Sequence, residues 1–259
     1  MAIIVFILFA GMVVFLIQST FRKKKSISSQ TESDVLQILS SQVDFYQALP
    51  NELLKTQFYQ RVLLFMQSVR FTSVGNAKHQ LSDEVLVAAS AIIPIFAFPH
   101  WEYHTIHEIL FYEDNFSTDF EVGDSKPVMG MVGEGAMNKM MILSLDALRE
   151  GFQRKDAEHT AIHEFVHLID KSDGVIDGIP MSLIPQTFVE PWLRHIRECM
   201  HDIRQQDSNL DTYAGTNEAE FLAVMSEYFF EKPQFLQRHH PVLYNLLNQI
   251  FKPKAPPLK

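Results

Sequence analysis

The chain is poor in cysteine: Cys199 stands alone among 259 residues. No internal disulfide can form, which suits a reducing compartment. Basic residues are also scarce, 22 Lys and Arg against 31 Asp and Glu, for a net charge of -9. Ten Gly and 12 Pro are too few for a collagen-like or low-complexity chain. With 47% hydrophobic and 20% charged residues, a wholly disordered chain is excluded. There is no internal repeat, and the length admits one large domain or two small ones.

Acidic residues are missing altogether from residues 1–25. Ala2–Ile17 is an unbroken run of apolar or small residues, and the first charges are Arg22-Lys23-Lys24-Lys25. At roughly 1.5 Å per residue, a helix over Ala2–Phe21 spans about 30 Å, the thickness of a bilayer core. The positive charges follow the apolar run, the reverse of a secretory signal. This pattern predicts a transmembrane anchor over residues 1–21, with the lipid bilayer as a partner. The positive-inside rule then predicts a single-pass membrane protein whose C-terminal domain lies in the cytoplasm. Without this segment the chain holds 18 basic and 31 acidic residues, net -13. So acidic a body argues against nucleic acid as a partner, because phosphate affinity comes from Lys and Arg.

Residues 22–34 read as a basic and polar linker, 35–251 as the folded domain, and 252–259, with three prolines, as a disordered tail. Apolar spacing predicts helices in Val35–Val74 with a break near Pro50. It predicts further helices over Leu81–Ile93, stopped by Pro94, and over Ala157–Asp170, capped by Asp156. Pro191–Gln205, Glu218–Glu231 and a last helix from Pro233 to about Phe251 complete the set. Ile109–Tyr112, Val128–Val132 and Met140–Leu143 are short β-type runs, the last two separated by Gly133-Glu134-Gly135. The expected class is α+β, mostly helical, with a small β-sheet. Met140–Leu143, just ahead of the helix at 157–170, is expected to be an edge strand able to pair with an extended peptide.

That helix contains His163-Glu164-Phe165-Val166-His167, an HExxH motif. Residues four apart lie one above the other on a helix, so both imidazoles can meet one metal ion. Glu164 sits about 100° further round, where it can reach a metal-bound water and act as general base. A chance match in a chain of this composition is expected roughly 0.03 times. The motif is embedded in Ala161, Ile162, Phe165, Val166, Leu168 and Ile169, which marks a buried helix whose ionisable groups need partners. Thiolate zinc sites are excluded by the lone cysteine, so a zinc ion would be held by histidine and carboxylate.

A catalytic zinc needs a third protein ligand and an open position. His159 is one turn before His163, but three ligands in a straight row cannot close a tetrahedron. Asp173 completes an HExxHxxDxxD spacing. Glu218, Glu220, Glu227 and Glu231 share a helix downstream.

His163–Asp170 (HEFVHLID), Asp173–Pro180 (DGxxDGIP) and Thr212–Phe230 (TYAGTNEAEFLAVMSEYFF), in this order, resemble the Mlc titration factor A family of zinc peptidases. The resemblance covers roughly residues 80–250 and includes Gly133-Glu134-Gly135 and Leu143-Ser144. Ala136-Met137 departs from the family, which has an aromatic there. The site of that family resembles the catalytic domain of anthrax lethal factor, so a gluzincin-like, zincin-type fold is implied. The resemblance implies one Zn2+ held by His163, His167 and Glu220, with Glu164 as base. It also implies that Tyr213, seven residues before Glu220, faces the metal and stabilises an oxyanion.

Glu227, two turns after Glu220, and Asp170, seven residues after His163, are candidates to accept the second ring N–H of a ligand histidine. The expected function is a membrane-anchored zinc peptidase acting on a peptide or protein substrate. The alternative is a zinc-containing regulatory module, because the soluble relatives are named for binding a transcriptional repressor. A protein regulator is therefore a possible partner. His100, His104 and His107 are expected to serve packing or the surface rather than a second metal, and Cys199 to act as a small hydrophobe.

Overall fold

The computed structural model describes residues 29–113, 130–132, 139–154 and 158–252. Helix α1 (Ser29–Gln42) begins inside the segment expected to be linker, and a single turn, α2 (Asp44–Gln47), follows it. Helix α3 (Glu52–Ser68) is capped by Asn51, whose side chain accepts from the Leu54 N–H at 3.0 Å. It leads into strand β1 (Arg70–Ser73), which apolar spacing had merged with the helices before it.

Helix α4 (Leu81–Ile95) is buried from Val85 to Ile95, an apolar surface on all sides that marks a central helix. Pro94 lies within its last turn rather than stopping it. So near the C-terminus, the bond that proline cannot donate is the only one lost. Arg61 of α3 closes this end, donating to the carbonyls of Ile95 and Phe96 at 2.9 and 3.1 Å.

Strands β2 (Glu108–Tyr112), β3 (Gly130–Val132) and β4 (Met140–Ser144) join β1 in one sheet of order β1-β2-β4-β3. β1, β2 and β4 run parallel, whereas β3 is antiparallel to β4, with Gly130 opposite Leu143. The class is α+β and mostly helical, with this small sheet. Met140–Leu143 is therefore not an edge strand: it is paired on both sides, and its near-continuous apolar sequence is that of a strand buried on both faces. The edge beside it is β3.

Helix α5 (Leu145–Gln153) follows at once, capped by Ser144. Helix α6 (Thr160–Asp170) carries the HExxH motif and touches α4, α5, β3 and β4. It starts three residues later than its apolar run suggests, because the His159 side chain acts as cap, accepting from the Ile162 N–H at 3.4 Å. Asp156, the expected cap, lies outside the described residues, as do Gly133-Glu134-Gly135.

A 3-10 turn (Lys171–Asp173), helix α7 (Gln186–Arg204) and a second 3-10 turn (Thr212–Gly215) lead to α8 (Glu218–Glu231), whose bounds match the sequence reading. The expected last helix is two, α9 (Pro233–His239) and α10 (Pro241–Phe251). Pro241 forces the residue before it out of the helical region, and His240 sits at φ -133°, ψ 59°.

The expected anchor at 1–21, the basic run at 22–25 and most of the tail at 252–259 lie outside the described residues. Among the described residues no helix is long and apolar enough to cross a membrane. The most apolar, α4, has 15 residues, about 22 Å of helix against a core of about 30 Å. The single-pass membrane placement is corrected accordingly, and the bilayer is dropped as a partner.

Asp83, in the first turn of α4, clamps α4 to α5. It is buried, accepts from Nε and Nη2 of Arg149 at 2.9 Å each, and also accepts the Gln80 N–H at 2.7 Å. Asp83→Ala removes one partner of this pair and half of a capping box. It should lower stability by about 3 kcal/mol, read as a shift of the urea midpoint at unchanged slope.

Candidate metal centre

Helices α6 and α8 pack along each other and bring the motif to the downstream glutamates. Nε2 of His163 lies 3.1 Å from Nε2 of His167 and 2.9 Å from Oε2 of Glu220. The same oxygen is 3.4 Å from Nε2 of His167. One ligand atom from each of His163, His167 and Glu220 falls within 4.8 Å of the others. Among the described residues no other group of three potential ligands does so. Asn217 sets Glu220 in place by capping α8, its side chain accepting the Glu220 N–H at 2.9 Å.

Glu227, two turns along α8, accepts from Nδ1 of His163 at 2.8 Å. Its other oxygen accepts the backbone N–H of His159. One carboxylate thus orients the His163 ring, leaving Nε2 to face Glu220, and ties down the start of α6. This second bond was not legible in the sequence, because it uses a backbone group. The His159 ring itself is buried against Phe152 at 4.5 Å, with burial lowering its pKa to about 4. It stays neutral and serves as a cap.

Glu164 is buried beside the cluster. Burial raises its pKa, and the His163 and His167 rings oppose the rise. β3 runs directly over it: a Cβ on Gly130 would stand 2.7 Å from Cγ of Glu164. Only glycine lets the strand approach this closely. Tyr213 sits in the 3-10 turn before α8, where Asp211 accepts its N–H at 2.7 Å. Its ring is 6.1 Å from that of His163 and half-exposed. Burial and the charges of Glu220 and Glu164 push its hydroxyl up to about 12, so it is a donor at neutral pH.

Burial disfavours the Glu220 carboxylate, but hydrogen bonds to His163 and His167 outweigh it and hold its pKa far below the usual range. Burial likewise disfavours a charged His163, yet Glu220 and Glu227 raise its pKa to about 10. The surroundings therefore demand positive charge at the point where the three residues meet. With each ring carrying its proton on Nδ1 alone, two imidazole lone pairs and a carboxylate oxygen are directed at one place, where a cation would take the position of an Nε2 proton. This donor set fits a divalent cation of zinc's preferences, with the Glu227 carboxylate behind one imidazole.

Two sequence candidates fall elsewhere. Asp173 is exposed, and its carboxylate accepts the Val175 N–H at 3.0 Å. Asp170 is buried but does not pair with a ligand histidine. Its Oδ2 accepts the Gly178 N–H at 2.9 Å, and burial raises its pKa to about 6. Its Oδ1 and Nδ1 of His167 have no hydrogen-bond partner among the described residues. Asp170 thus braces the loop after α6. Gly178, at φ 75°, presses on α8, where a Cβ would stand 2.3 Å from the Glu218 carbonyl oxygen. Its own carbonyl accepts from Nε1 of Trp192 at 2.7 Å.

His104 is exposed and His107 half-buried, while Phe98 and Trp101 pack on the core. Cys199 is half-buried, and burial pushes its thiol up to about 11, which makes it a poor nucleophile.

Residues 18–252 match the family described as glucose-regulated metallo-peptidase M90. The chain belongs to that family. An uncharacterized protein of Synechocystis sp., slr2042, is 29% identical over 229 residues, 83% of this chain and 82% of that protein. Mlc titration factor A of Serratia proteamaculans is 29% identical over 160 residues, 56% of this chain and 60% of that protein. Mlc titration factor A of Escherichia fergusonii is 30% identical over 161 residues, 56% of this chain and 58% of that protein. The match with these two titration factors thus spans somewhat under two thirds of their length. Membership in M90 agrees with the His-His-Glu cluster as a possible metal site.

Gly178→Ala should lower stability by more than about 2 kcal/mol, through a strained positive φ and the loss of close packing on α8. Thermal unfolding followed by circular dichroism measures it.

Proposed function

We propose that this M90 protein is a zinc-dependent peptidase with one Zn2+ held by His163, His167 and Glu220. The observation that carries the reading is the convergence of these three ligand atoms within 4.8 Å beside a buried glutamate. The cleft that exposes them has a volume of about 380 Å³. In this reading residues 35–251 form the peptidase domain.

A zinc ion bound there would supply Lewis acidity and bring the pKa of a bound water towards neutrality. Glu164 takes a proton from the attacking water and passes it to the leaving amine. Its raised pKa brings it closer to the working range of a general base. Tyr213 donates from its hydroxyl to the oxyanion that develops on the peptide carbonyl. Glu227 keeps His163 in the tautomer that presents Nε2, and Asp170 acts indirectly, by holding the loop against α8.

Glu164→Gln should keep zinc and slow peptide cleavage by about 10²–10⁴-fold. Cleavage at the parental rate would remove Glu164 from the role of base. Glu227→Gln should weaken zinc binding about 10–100-fold in a chelator competition. Glu220→Ala should lose stoichiometric zinc, whereas Asp173→Ala should retain it; the opposite pattern would restore the HExxHxxDxxD ligand set.

A second reading is favoured by the name of the relatives: a protein that binds a regulator and catalyses little. Titrating Mlc against the zinc-loaded and zinc-stripped protein tests it. Tight binding indifferent to Glu164→Gln, with no peptide cleaved by the parent, would favour this reading over the first.

A further inference from the structure

The loop between α6 and α7 has a composition at odds with its position. Its tip carries two adjacent β-branched apolar residues, Val175 and Ile176, which are 53% and 46% exposed. Turns ordinarily show small or polar side chains there. The loop is nevertheless firmly held. Asp173 accepts the Val175 N–H at 3.0 Å, and Asp177 accepts the Ile179 N–H at 3.1 Å. Asp170 accepts the Gly178 N–H, and Trp192 donates to the Gly178 carbonyl. A loop fixed at so many points presents its side chains in set places.

Ile176 lines the same cleft as His163, His167 and Glu220. Among the described residues lining that cleft, Ile176 is the only aliphatic side chain larger than a methyl group. Asp177 and Glu218 line it as well, and no Lys or Arg does among the described residues. We infer that Ile176 is a specificity-determining residue. Its exposed side chain forms an apolar subsite beside the metal cluster, selecting peptides with an apolar side chain next to the bond under attack. Asp177 and Glu218 turn away peptides with an acidic side chain at that place. Covering Ile176 removes apolar surface from water only when such a ligand is bound, and like charges repel the acidic one. The inference deepens the peptidase reading and rests on it.

The test uses the full-length, zinc-loaded protein and a series of dipeptide hydroxamates that differ in one side chain, Leu, Ser or Asp. Binding is measured by calorimetry. The parent should bind the Leu compound about tenfold more tightly than the Ser compound, and the Asp compound least. Ile176→Ser should bring Leu and Ser within about twofold, with zinc content unchanged, and Ile176→Leu should keep the preference. Equal affinity of the parent for Leu and Ser, or a preference that survives Ile176→Ser, would overturn the assignment. Hydroxamate binding needs no catalysis. A protein that shows the preference but cleaves no peptide would contradict the peptidase reading while leaving the subsite in place. One that binds no hydroxamate would overturn both.

Discussion

The carboxylate of Glu227 joins the two helices on which the candidate site is built. One oxygen takes the ring N–H of His163 and the other the backbone N–H of His159, the residue that caps α6. A helix as apolar as α6 buries against its neighbours readily, yet it also carries ionisable groups into a region short of water. Such groups are tolerated only with partners. Glu227 and Glu220, one helical face of α8, provide them, so the packing of α6 on α8 and the electrostatics of the site are one constraint. The distance between His163 and Glu220 cannot change without disturbing this helix pair.

A second tie acts from the other end of α6. Asp170 is buried at its last residue and holds the Gly178 peptide, which lies on the first turn of α8 and is bound from α7 by Trp192. The helix that presents the two histidines is thereby fixed at both termini, and the position of Glu220 is bounded by both ties. β3 closes a third side, where Gly130 allows the backbone to lie against Glu164. Glu164 is thus confined by a strand on one side and the helix pair on the other. This is the arrangement expected of a group that must be held in one orientation.

Much of this was legible in residue spacing. The i, i+4 histidines, Glu164 between them and the bounds of α8 all follow from helical periodicity. Glu227 could be named because position 227 shares a face with 220. The bond from Glu227 to the His159 backbone could not, since main-chain donors leave no trace in sequence. Asp170 was read as a partner for a ligand histidine, and its actual partner was hidden because Gly178 comes close only once the loop has folded back. β1 was missed because Arg70-Phe71-Thr72-Ser73 is short and lacks a buried/exposed alternation, and only pairing with β2 makes it a strand. Met140–Leu143 was placed at an edge on its position just ahead of the motif helix, whereas it pairs with β2 on one side and β3 on the other. Pro94 and Pro241 show opposite outcomes for one residue type. The first falls in the last turn of α4 and is absorbed there, while the second restricts His240 and starts a new helix. The apolar run at 2–17 showed how far hydropathy alone reaches. It led to a membrane placement that none of the described helices supports.

The central claim is that two imidazoles and one carboxylate hold a zinc ion with a position left open for water. Zinc K-edge X-ray absorption on the purified full-length protein, together with metal stoichiometry, tests it most directly. The account predicts one zinc per chain, bound by two histidine nitrogens, one carboxylate and one oxygen that is not from the protein. Substoichiometric zinc, a sulfur ligand, or a closed shell of four protein ligands would contradict it.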